Sequence, residues 1–248
     1  MLEAIVLANK YIHISDMHVT GKGERVFGLD SDANFRRCID HIGTYNRDAC
    51  EIICSGDLSN DGSVESYQLV SDCLSALAME KYILLGNHDN SSNALHCLED
   101  IETELPGFVQ YQRLTAQGLF VFLDSVKGNE SSGFFCSDRS DWLQHTFDQA
   151  EVRGFPVYLF MHHNPFPVHV ASSDAVGLEN NAAFISLLRK YKHLIKYLYF
   201  GHCHQTISGE YEGIPFASLK GTSHQIYPDF SDDTRFSRLL KKSLQLSR

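Results

Sequence analysis

Short apolar runs alternate with helical patterns along the first half of the chain. The apolar runs lie at 11–14, 51–55 and 81–85, and the helical patterns lie at 32–47, 64–80 and 92–102. Short apolar runs bounded by polar turns are typical of buried strands, whereas apolar residues three or four positions apart indicate one face of a helix. Strands that alternate with helices in this order predict an α/β fold with a mostly parallel sheet and right-handed crossovers.

The second half of the chain has more strand patterns than helical ones. Strands are predicted at 108–113, 119–123, 155–161, 196–200, 206–211 and 214–218, and helices at 138–150 and 178–191, with Ser137 as a candidate cap of the helix at 138–150. Since no repeat, low-complexity segment or linker interrupts the pattern, we expect a single domain over residues 1–230. Residues 231–248 combine basic residues with regularly spaced apolar ones, which predicts a C-terminal helical tail.

Candidate metal ligands follow directly after five of the predicted strands. The local strings are S-D-M-H, S-G-D-L-S-N, L-G-N-H-D, F-M-H-H-N-P and F-G-H-C-H, and the seven candidates are Asp16, His18, Asp57, Asn87, His162, His202 and His204. Because strand ends meet at one edge of an α/β sheet, we expect these side chains to converge. Asp16 and His18 are two positions apart, and side chains at this spacing point the same way in an extended chain.

These residue types indicate transition-metal chemistry. A single Asp-x-His pair is more often structural, but here Asp57 and Asn87 lie between an Asp-x-His and a His-x-His. Oxygen and imidazole ligands without cysteine suit Mn, Fe, Co or Zn, and the sequence does not choose among them. Cys203, between two of the candidate histidines, is expected to face away and pack in the core.

Charge and composition narrow the class of partner. The 248-residue chain has a formal net charge of −10, which argues against binding to polymeric nucleic acid or to an anionic membrane. A small phosphate ester remains compatible, because metal ions dominate the local field of such a site. No apolar stretch approaches the roughly 18 residues of a spanning helix. The seven cysteines include no C-x-x-C pair and residues 1–10 lack a signal-peptide pattern, so we expect a cytoplasmic protein with reduced thiols.

In order, spacing and flanking residues, the five strings resemble those of the calcineurin-like metallophosphoesterases, and the resemblance runs from about Tyr11 to Ser218. It implies a four-layer α/β/β/α sandwich that holds two divalent metal ions at the strand ends. The first metal ion would be bound by Asp16, His18, Asp57 and His204, and the second by Asp57, Asn87, His162 and His202. The carboxylate of Asp57 would bridge the two ions, and a bridging hydroxide would attack phosphorus in line.

The same resemblance implies roles for two neighbouring residues. His88 would contact the phosphoryl group or protonate the leaving oxygen, and Asp89 would orient His88. His162 is assigned as the ligand because the family pattern places a ligand directly after the strand. The reverse assignment, with His163 as the ligand, stays open.

Departures from the family pattern indicate which branch of the family this sequence resembles. Asn60 stands where purple acid phosphatases have a tyrosine ligand, and the stretch from Asn60 to Gly62 lacks the Asp-Arg-Gly of the Ser/Thr protein phosphatases. Residues 161–180 and 217–225 instead resemble the bacterial phosphodiesterases, which include class III cyclic-nucleotide phosphodiesterases and glycerophosphodiesterases, although Asn164 replaces the usual proline. A small phosphodiester is therefore the expected substrate.

Several alternatives stay open at the level of sequence. A phosphomonoesterase or nucleotidase would use the same seven ligands. A non-catalytic binding module, such as the retromer subunit of this fold, would lack ligands that are present here, and a mononuclear hydrolase would leave Asn87 and His162 without a role. A homo-oligomer is compatible with the resemblance, as are substrate contacts by His169, Asp174 or His224.

Overall fold

The computed structural model describes residues 10–228, so the predicted tail at 231–248 lies outside the described residues. The strands are β1 (Lys10–Ile14), β2 (Arg25–Val26), β3 (Leu29–Asp30), β4 (Ala49–Ser55), β5 (Glu80–Leu84), β6 (Tyr111–Leu114), β7 (Leu119–Leu123), β8 (Val157–Met161), β9 (Ile195–Phe200), β10 (Ile207–Tyr211) and β11 (Ile214–Ser218). The helices are α1 (Ser31–Tyr45), α2 (Val64–Ser75), α3 (Ser91–Cys97), α4 (Ser137–Arg153), α5 (Ala171–Asp174) and α6 (Asn181–Lys190). Within this range, no helix combines the length and the hydrophobicity needed to cross a bilayer.

Apart from the short hairpin β2–β3, the described strands form two sheets, a small one of three strands and a large one of six. The first sheet has the order β1-β4-β5 and is entirely parallel. The second has the order β10-β11-β9-β8-β7-β6, in which the central strands are parallel and both edge strands, β10 and β6, pair antiparallel. The parallel pairing predicted for the first half is therefore present, and the second half builds a sheet of its own.

An aromatic layer packs the two sheets face to face. Phe160 of β8 stacks on Phe122 and Tyr199, with ring centroids 5.2 and 5.1 Å away, and meets Tyr11 and His13 of β1 edge-on. Helices α1 and α2 pack in the same core as the small sheet, while α4 and α6 pack in a second core against the large one. The four-layer α/β/β/α arrangement is thus confirmed.

Local hydrogen bonds determine where the helices begin. Asp30 caps α1 by accepting a hydrogen bond from Ala33 N at 2.9 Å. The prediction that Ser137 caps α4 is wrong, because Cys136 is the N-cap residue and Ser137 lies inside the helix, where no side chain caps the first turn. Helix α4 ends at Gly154, whose positive φ of 69° reverses the chain.

Two short elements of secondary structure are not predicted by the sequence pattern. The hairpin β2–β3 lies between the strand predicted at 11–14 and the helix predicted at 32–47, and α5 lies between the strand predicted at 155–161 and the helix predicted at 178–191. Strands of two residues and a helix of four are too short to show a period. Helix α2 also ends at Ser75, earlier than predicted, because the chain turns after it and buries Leu77 and Met79.

We expect that Phe160→Ala lowers the free energy of unfolding by about 3–5 kcal/mol, because it opens a cavity between the two sheets. Phe160 is fully buried, whereas Tyr45 at the end of α1 is 71% exposed and offers a matched control. Tyr45→Ala should change the free energy by less than about 0.5 kcal/mol in the same urea titration. Equal effects of the two substitutions would contradict the role given to the aromatic layer.

Candidate metal centre

The seven candidate ligands all lie just beyond the carboxyl ends of five parallel strands. Asp16 and His18 follow β1, Asp57 follows β4, Asn87 follows β5, His162 follows β8, and His202 and His204 follow β9. The first three strands belong to the small sheet and the last two to the large one. The candidate centre therefore spans the junction between the sheets.

Most of these residues have a left-handed backbone. The φ angles are 54° for Asp16, 46° for His18, 51° for Asp57, 64° for His202 and 50° for His204. Non-glycine residues rarely adopt positive φ, and such residues concentrate at functional sites. Asp16 and His18 therefore reach the same centre, but not from the extended chain that was expected, because the two side chains leave tight turns beyond β1.

Backbone hydrogen bonds fasten these turns to one another. Asp16 N donates to the carbonyl oxygen of Gly56 at 3.1 Å, and His18 N donates to that of Asp57 at 2.9 Å. Val19 N continues the series to Leu58 O at 2.9 Å. The loops after β1 and β4 thus run side by side, which holds the strained residues in place.

The first predicted ligand set converges closely. Asp16, His18, Asp57 and His204 each offer a ligand atom, and these atoms all lie within 4.8 Å of one another. His18 Nε2 and His204 Nε2 are 3.1 Å apart, and His204 Nε2 is 3.4 Å from Asp16 Oδ1. The structure therefore brings together the four residues proposed for one metal ion.

The second predicted set is also brought together. His162 Nε2 lies 3.3 Å from Asn87 Oδ1 and 3.4 Å from Asp57 Oδ1. His202 offers a nitrogen within 4.8 Å of that of His162, and its Nε2 is buried with no hydrogen bond within residues 10–228. A buried ring nitrogen without a partner is costly unless a ligand satisfies it.

Asp57 lies between the two sets. Its Oδ2 is 3.5 Å from His18 Nε2, and its Oδ1 is 3.4 Å from His162 Nε2. Oδ1 also accepts a hydrogen bond from the backbone N of His88 at 2.9 Å. One carboxylate oxygen is therefore directed toward each ligand set.

Carbonyl oxygens orient two of the candidate imidazoles. His162 Nδ1 donates to Ser55 O at 2.9 Å, and His204 Nδ1 donates to His224 O at 3.0 Å. Because a carbonyl oxygen only accepts, each Nδ1 carries a hydrogen, and Nε2 is the nitrogen of each ring that is directed into the centre. Contacts of this kind set the tautomer of metal-binding histidines.

Electrostatics also suit a cation. Asp16 and Asp57 are buried, and within residues 10–228 no lysine or arginine forms an ion pair with either. Burial raises the pKa of Asp57, but the charge of His162 and its hydrogen bond outweigh this and hold that pKa well below its usual range. Burial lowers the pKa of His162, and Asp57 more than reverses this, to about 9. Without metal, the carboxylate thus keeps a proton on an imidazole that a metal ion would displace.

The structure also brings His163 near the second set. It forms a group with His162 and His202 whose ligand atoms lie within 4.8 Å of one another. However, Ser125 Oγ lies 2.8 Å from His163 Nδ1, whereas His162 is the ring that reaches Asp57 and Asn87. His162 is thus the ring that contacts the other candidate ligands, while the Nε2 of His163 is buried without a hydrogen bond within residues 10–228.

The residues whose contact with substrate the sequence left open include His224 and Asp174, which lie in different surroundings. His224 stacks on His204, with ring centroids 4.1 Å apart, and groups with His18 and His204. Asp174 instead accepts a hydrogen bond from Val168 N at 2.7 Å and organises its own loop. The closeness of His224 to the centre has no local signal, because it depends on hydrogen bonds from the loop that precedes it to the end of β1.

His88 faces the centre and is exposed. Its ring lies edge-on to that of His18, with centroids 4.7 Å apart, and its Nδ1 is 3.0 Å from Asn60 O. The carbonyl oxygen requires a hydrogen on Nδ1, so Nε2 is the nitrogen that remains for a substrate.

Asp89 does not orient the His88 ring, contrary to the expectation. Its carboxylate accepts hydrogen bonds from the backbone N of Leu58, Ser59 and Gly86, at 3.2, 3.0 and 2.9 Å, and from Tyr67 OH at 3.0 Å. Asp89 therefore holds the loop after β4 against the loop after β5. Its influence on His88 passes through the backbone.

A pocket of about 340 Å³ opens above these groups. It is lined by His18, Phe27, Asp57, Asn60, Asn87, His88, Ser131, Ser172, Ser173, Ala175, Val176, His202, His204, His224 and Ile226. This volume is at the lower end of the range for small-molecule sites. Among the described residues, its lining contains no lysine or arginine.

Comparisons with known proteins agree on one family. The model of the calcineurin-like phosphoesterases matches residues 10–206. A probable cyclic nucleotide phosphodiesterase of Rhodopseudomonas palustris is 29% identical over 221 residues, which are 88% of this chain and 79% of that protein. A glycerophosphodiester phosphodiesterase of Enterobacter lignolyticus is 27% identical over 227 residues, 90% of this chain and 80% of that protein.

A solved structure shares the fold. The crystal structure of a dimetal phosphatase from Danio rerio superposes with a TM-score of 0.70 at 17% identity, covering 86% of this chain and 87% of that one. At this identity the likeness concerns the fold alone.

We expect Gly86→Ala to impair metal binding, since an added Cβ would lie closer than 3.0 Å to Asp57 Oδ1, Asp57 N and His162 Cε1. The content of tightly bound Mn or Zn, measured by plasma mass spectrometry, should fall to less than about half of the wild-type value, by analogy with changes around metal ligands. Gly43→Ala is the matched control, because its Cβ would meet only Leu77 Cδ2 at 3.5 Å. Wild-type metal content in Gly86→Ala would show that the carboxylate does not need this space.

Proposed function

Because the chain belongs to the calcineurin-like phosphoesterase family, we propose that it is a metal-dependent hydrolase of small phosphodiesters. The observation that carries this proposal is the position of Asp57, with one oxygen 3.5 Å from His18 Nε2 and the other 3.4 Å from His162 Nε2. A carboxylate between two ligand sets suits a bridge between two divalent ions. The relatives named as cyclic nucleotide and glycerophosphodiester phosphodiesterases support the diester class.

We assign the ligands as two sets that share Asp57. The first ion would be held by Asp16, His18, Asp57 and His204, and the second by Asp57, Asn87, His162 and His202. Two divalent ions held there would supply positive charge to the phosphoryl oxygens and a water of lowered pKa. Mn, Fe, Zn or Co would suit these donors.

The charge of the centre favours a diester over a monoester. Asp16 and Asp57 offset only half of the charge of two divalent ions, and Asn87 adds none. The surplus of two positive charges would match a monoanionic diester together with an attacking hydroxide. A monoester dianion carries more charge, and the described pocket lining offers no lysine or arginine to neutralise it.

His88 supplies the proton that the leaving group needs. Its Nδ1 is 3.0 Å from Asn60 O and keeps its hydrogen there, so Nε2 can donate a proton to the leaving oxygen when the ring is an imidazolium. Asp57 Oδ1 accepts the backbone hydrogen bond of His88 and so couples the position of this residue to the bridging carboxylate. Asp89 acts as a positioning residue for both loops.

We also propose that residues 1–230 form a single domain and that the protein works in the cytoplasm. The described strands of both sheets contribute side chains to the one candidate centre. All seven cysteines are free thiols, which suits a reducing compartment.

The proposal is tested by a paired assay on metal-stripped protein. After addition of Mn, and separately of Zn, kcat/KM for bis(p-nitrophenyl) phosphate should exceed that for p-nitrophenyl phosphate by about tenfold or more, since only the diester matches the charge of the centre. Activity should saturate near two ions per chain in a titration followed by plasma mass spectrometry. A preference for the monoester would indicate a phosphatase, whereas bound metal without activity on either ester would indicate a binding module.

We expect His88→Ala to keep both ions and to lose about 10²–10⁴-fold in kcat, because the proton donor is removed and the ligands are not. The loss should shrink for a diester whose leaving alcohol is more acidic, since such a group departs without a proton. His145→Ala, on the exposed face of α4, is the matched control and should retain full activity. Loss of metal from His88→Ala would instead make His88 a ligand.

A further inference from the structure

The hairpin β2–β3 has an unusual turn beside the pocket. Its two turn residues, Phe27 and Gly28, both have positive φ, at 51° and 83°. Two-residue hairpin turns with positive φ at both positions are of type I′, and asparagine or aspartate followed by glycine is strongly preferred there. A bulky aromatic side chain in the first position is a conformational outlier, of the kind that concentrates where function requires it.

The strain at Phe27 is not offset by burial. The residue is 45% exposed, whereas its neighbour Val26 is 6% exposed and packs into the body of the protein. Nearly half of the surface of Phe27 is thus exposed to solvent.

The ring of Phe27 lies beside the candidate metal centre. Phe27 lines the same pocket as the candidate ligands and His88. Its ring centroid is 4.9 Å from that of His224, which in turn stacks on His204. The pocket thus has an aromatic side wall that is separated from the candidate ligand His204 by the ring of His224.

The loop that carries Phe27 is held rigidly. Asp32, which is buried, accepts hydrogen bonds from Thr20 N at 2.7 Å and from Gly23 N at 3.1 Å. Ser31 Oγ lies 2.7 Å from Ser223 Oγ, which ties the end of the hairpin to the loop of His224. A side chain placed on such a scaffold can act as a fixed surface for a ligand.

We propose that Phe27 is a specificity-determining residue that stacks against a flat heteroaromatic ring in the alcohol part of the substrate. This inference rests on the proposed function and selects nucleoside phosphodiesters, such as cyclic nucleotides, over diesters of aliphatic alcohols. Every nucleobase has a π-face that stacks on an aromatic side chain. A cationic headgroup would also contact such a ring, but two divalent ions in the same pocket would repel it.

The test compares two uncharged alcohol parts on the metal-loaded full-length protein. The probes are 3′,5′-cyclic AMP, which carries a base, and glycerophosphoglycerol, which has no ring. In Phe27→Asn, the ratio of kcat/KM for the nucleotide to that for the aliphatic diester should fall about 10- to 100-fold. Phe27→Tyr keeps the ring and should keep the ratio within about threefold of the wild-type value.

Replacing Phe27 with asparagine separates an effect on substrate recognition from an effect on folding. Asparagine is favoured in a type I′ turn, so the melting temperature of Phe27→Asn should not fall, and Phe27→Gly provides a second variant that tolerates positive φ. The hairpin β10–β11 offers a matched control, because its turn residues Glu212 and Gly213 have φ angles of 52° and 87° and lie outside the pocket. Glu212→Asn should leave the rates with both probes unchanged.

The outcomes distinguish this inference from the proposed function. An unchanged ratio in both Phe27→Asn and Phe27→Gly would overturn the role of Phe27 while the hydrolase stands. A wild-type protein that cleaves glycerophosphoglycerol but not the nucleotide would overturn the nucleoside class and leave the diesterase intact. A metal-loaded protein that cleaves neither diester would overturn both.

Discussion

The burial of two carboxylates among imidazoles is the interaction on which the candidate centre depends. Asp16 is fully buried and Asp57 is 2% exposed, and neither forms an ion pair with a lysine or arginine among the described residues. Burying an unpaired charge costs several kcal/mol, even after the protein relaxes. Imidazoles compensate in part, as the raised pKa of His162 indicates. Divalent cations would compensate fully, so the arrangement is much better suited to the loaded state than to the empty one.

Strained turns make this arrangement specific. Left-handed residues such as Asp16, His18 and Asp57 hold their conformation because neighbouring loops pair through backbone hydrogen bonds. Asp89 adds to this by collecting three backbone N–H groups and Tyr67 OH, which locks the loops after β4 and β5 together. The ligand geometry is thereby built before any ion binds, and the cost is borne by the surrounding hydrogen bonds.

Much of the fold and of the candidate centre could be predicted from the sequence, because the signals that predict them are local. The apolar runs that form β1, β4, β5, β8 and β9 are each followed closely by candidate ligands, so the sequence predicts the strand ends and the candidate residues together. The orientation of those side chains could not be predicted, because the positive φ angles of Asp16 and His18 depend on backbone hydrogen bonds to the loop after β4.

Contacts between distant segments of the chain could not be predicted from the sequence for the same reason. Asp89 was expected to reach its neighbour His88, but it bonds to Leu58 and Ser59, about thirty positions away in the chain. His224 reaches the centre from near the end of the described chain, through contacts of Thr222 and Ser223 with Ser15 and Asp16. No spacing rule links segments so far apart. The hairpin of Phe27 was missed because strands of two residues have no period.

The division of ligands between the two sheets has a mechanical consequence. Each candidate ligand set includes residues that follow strands of both sheets. In the first set, His204 from the large sheet joins residues of the small sheet. In the second set, His162 and His202 from the large sheet join Asp57 and Asn87 from the small sheet. The separation of the two sheets, which the ring of Phe160 and its neighbours sets, therefore also sets the reach between ligands. Bound ions would act as cross-links between two halves of the molecule that otherwise adhere through apolar contact, so that sliding one sheet over the other would first require the metal to leave.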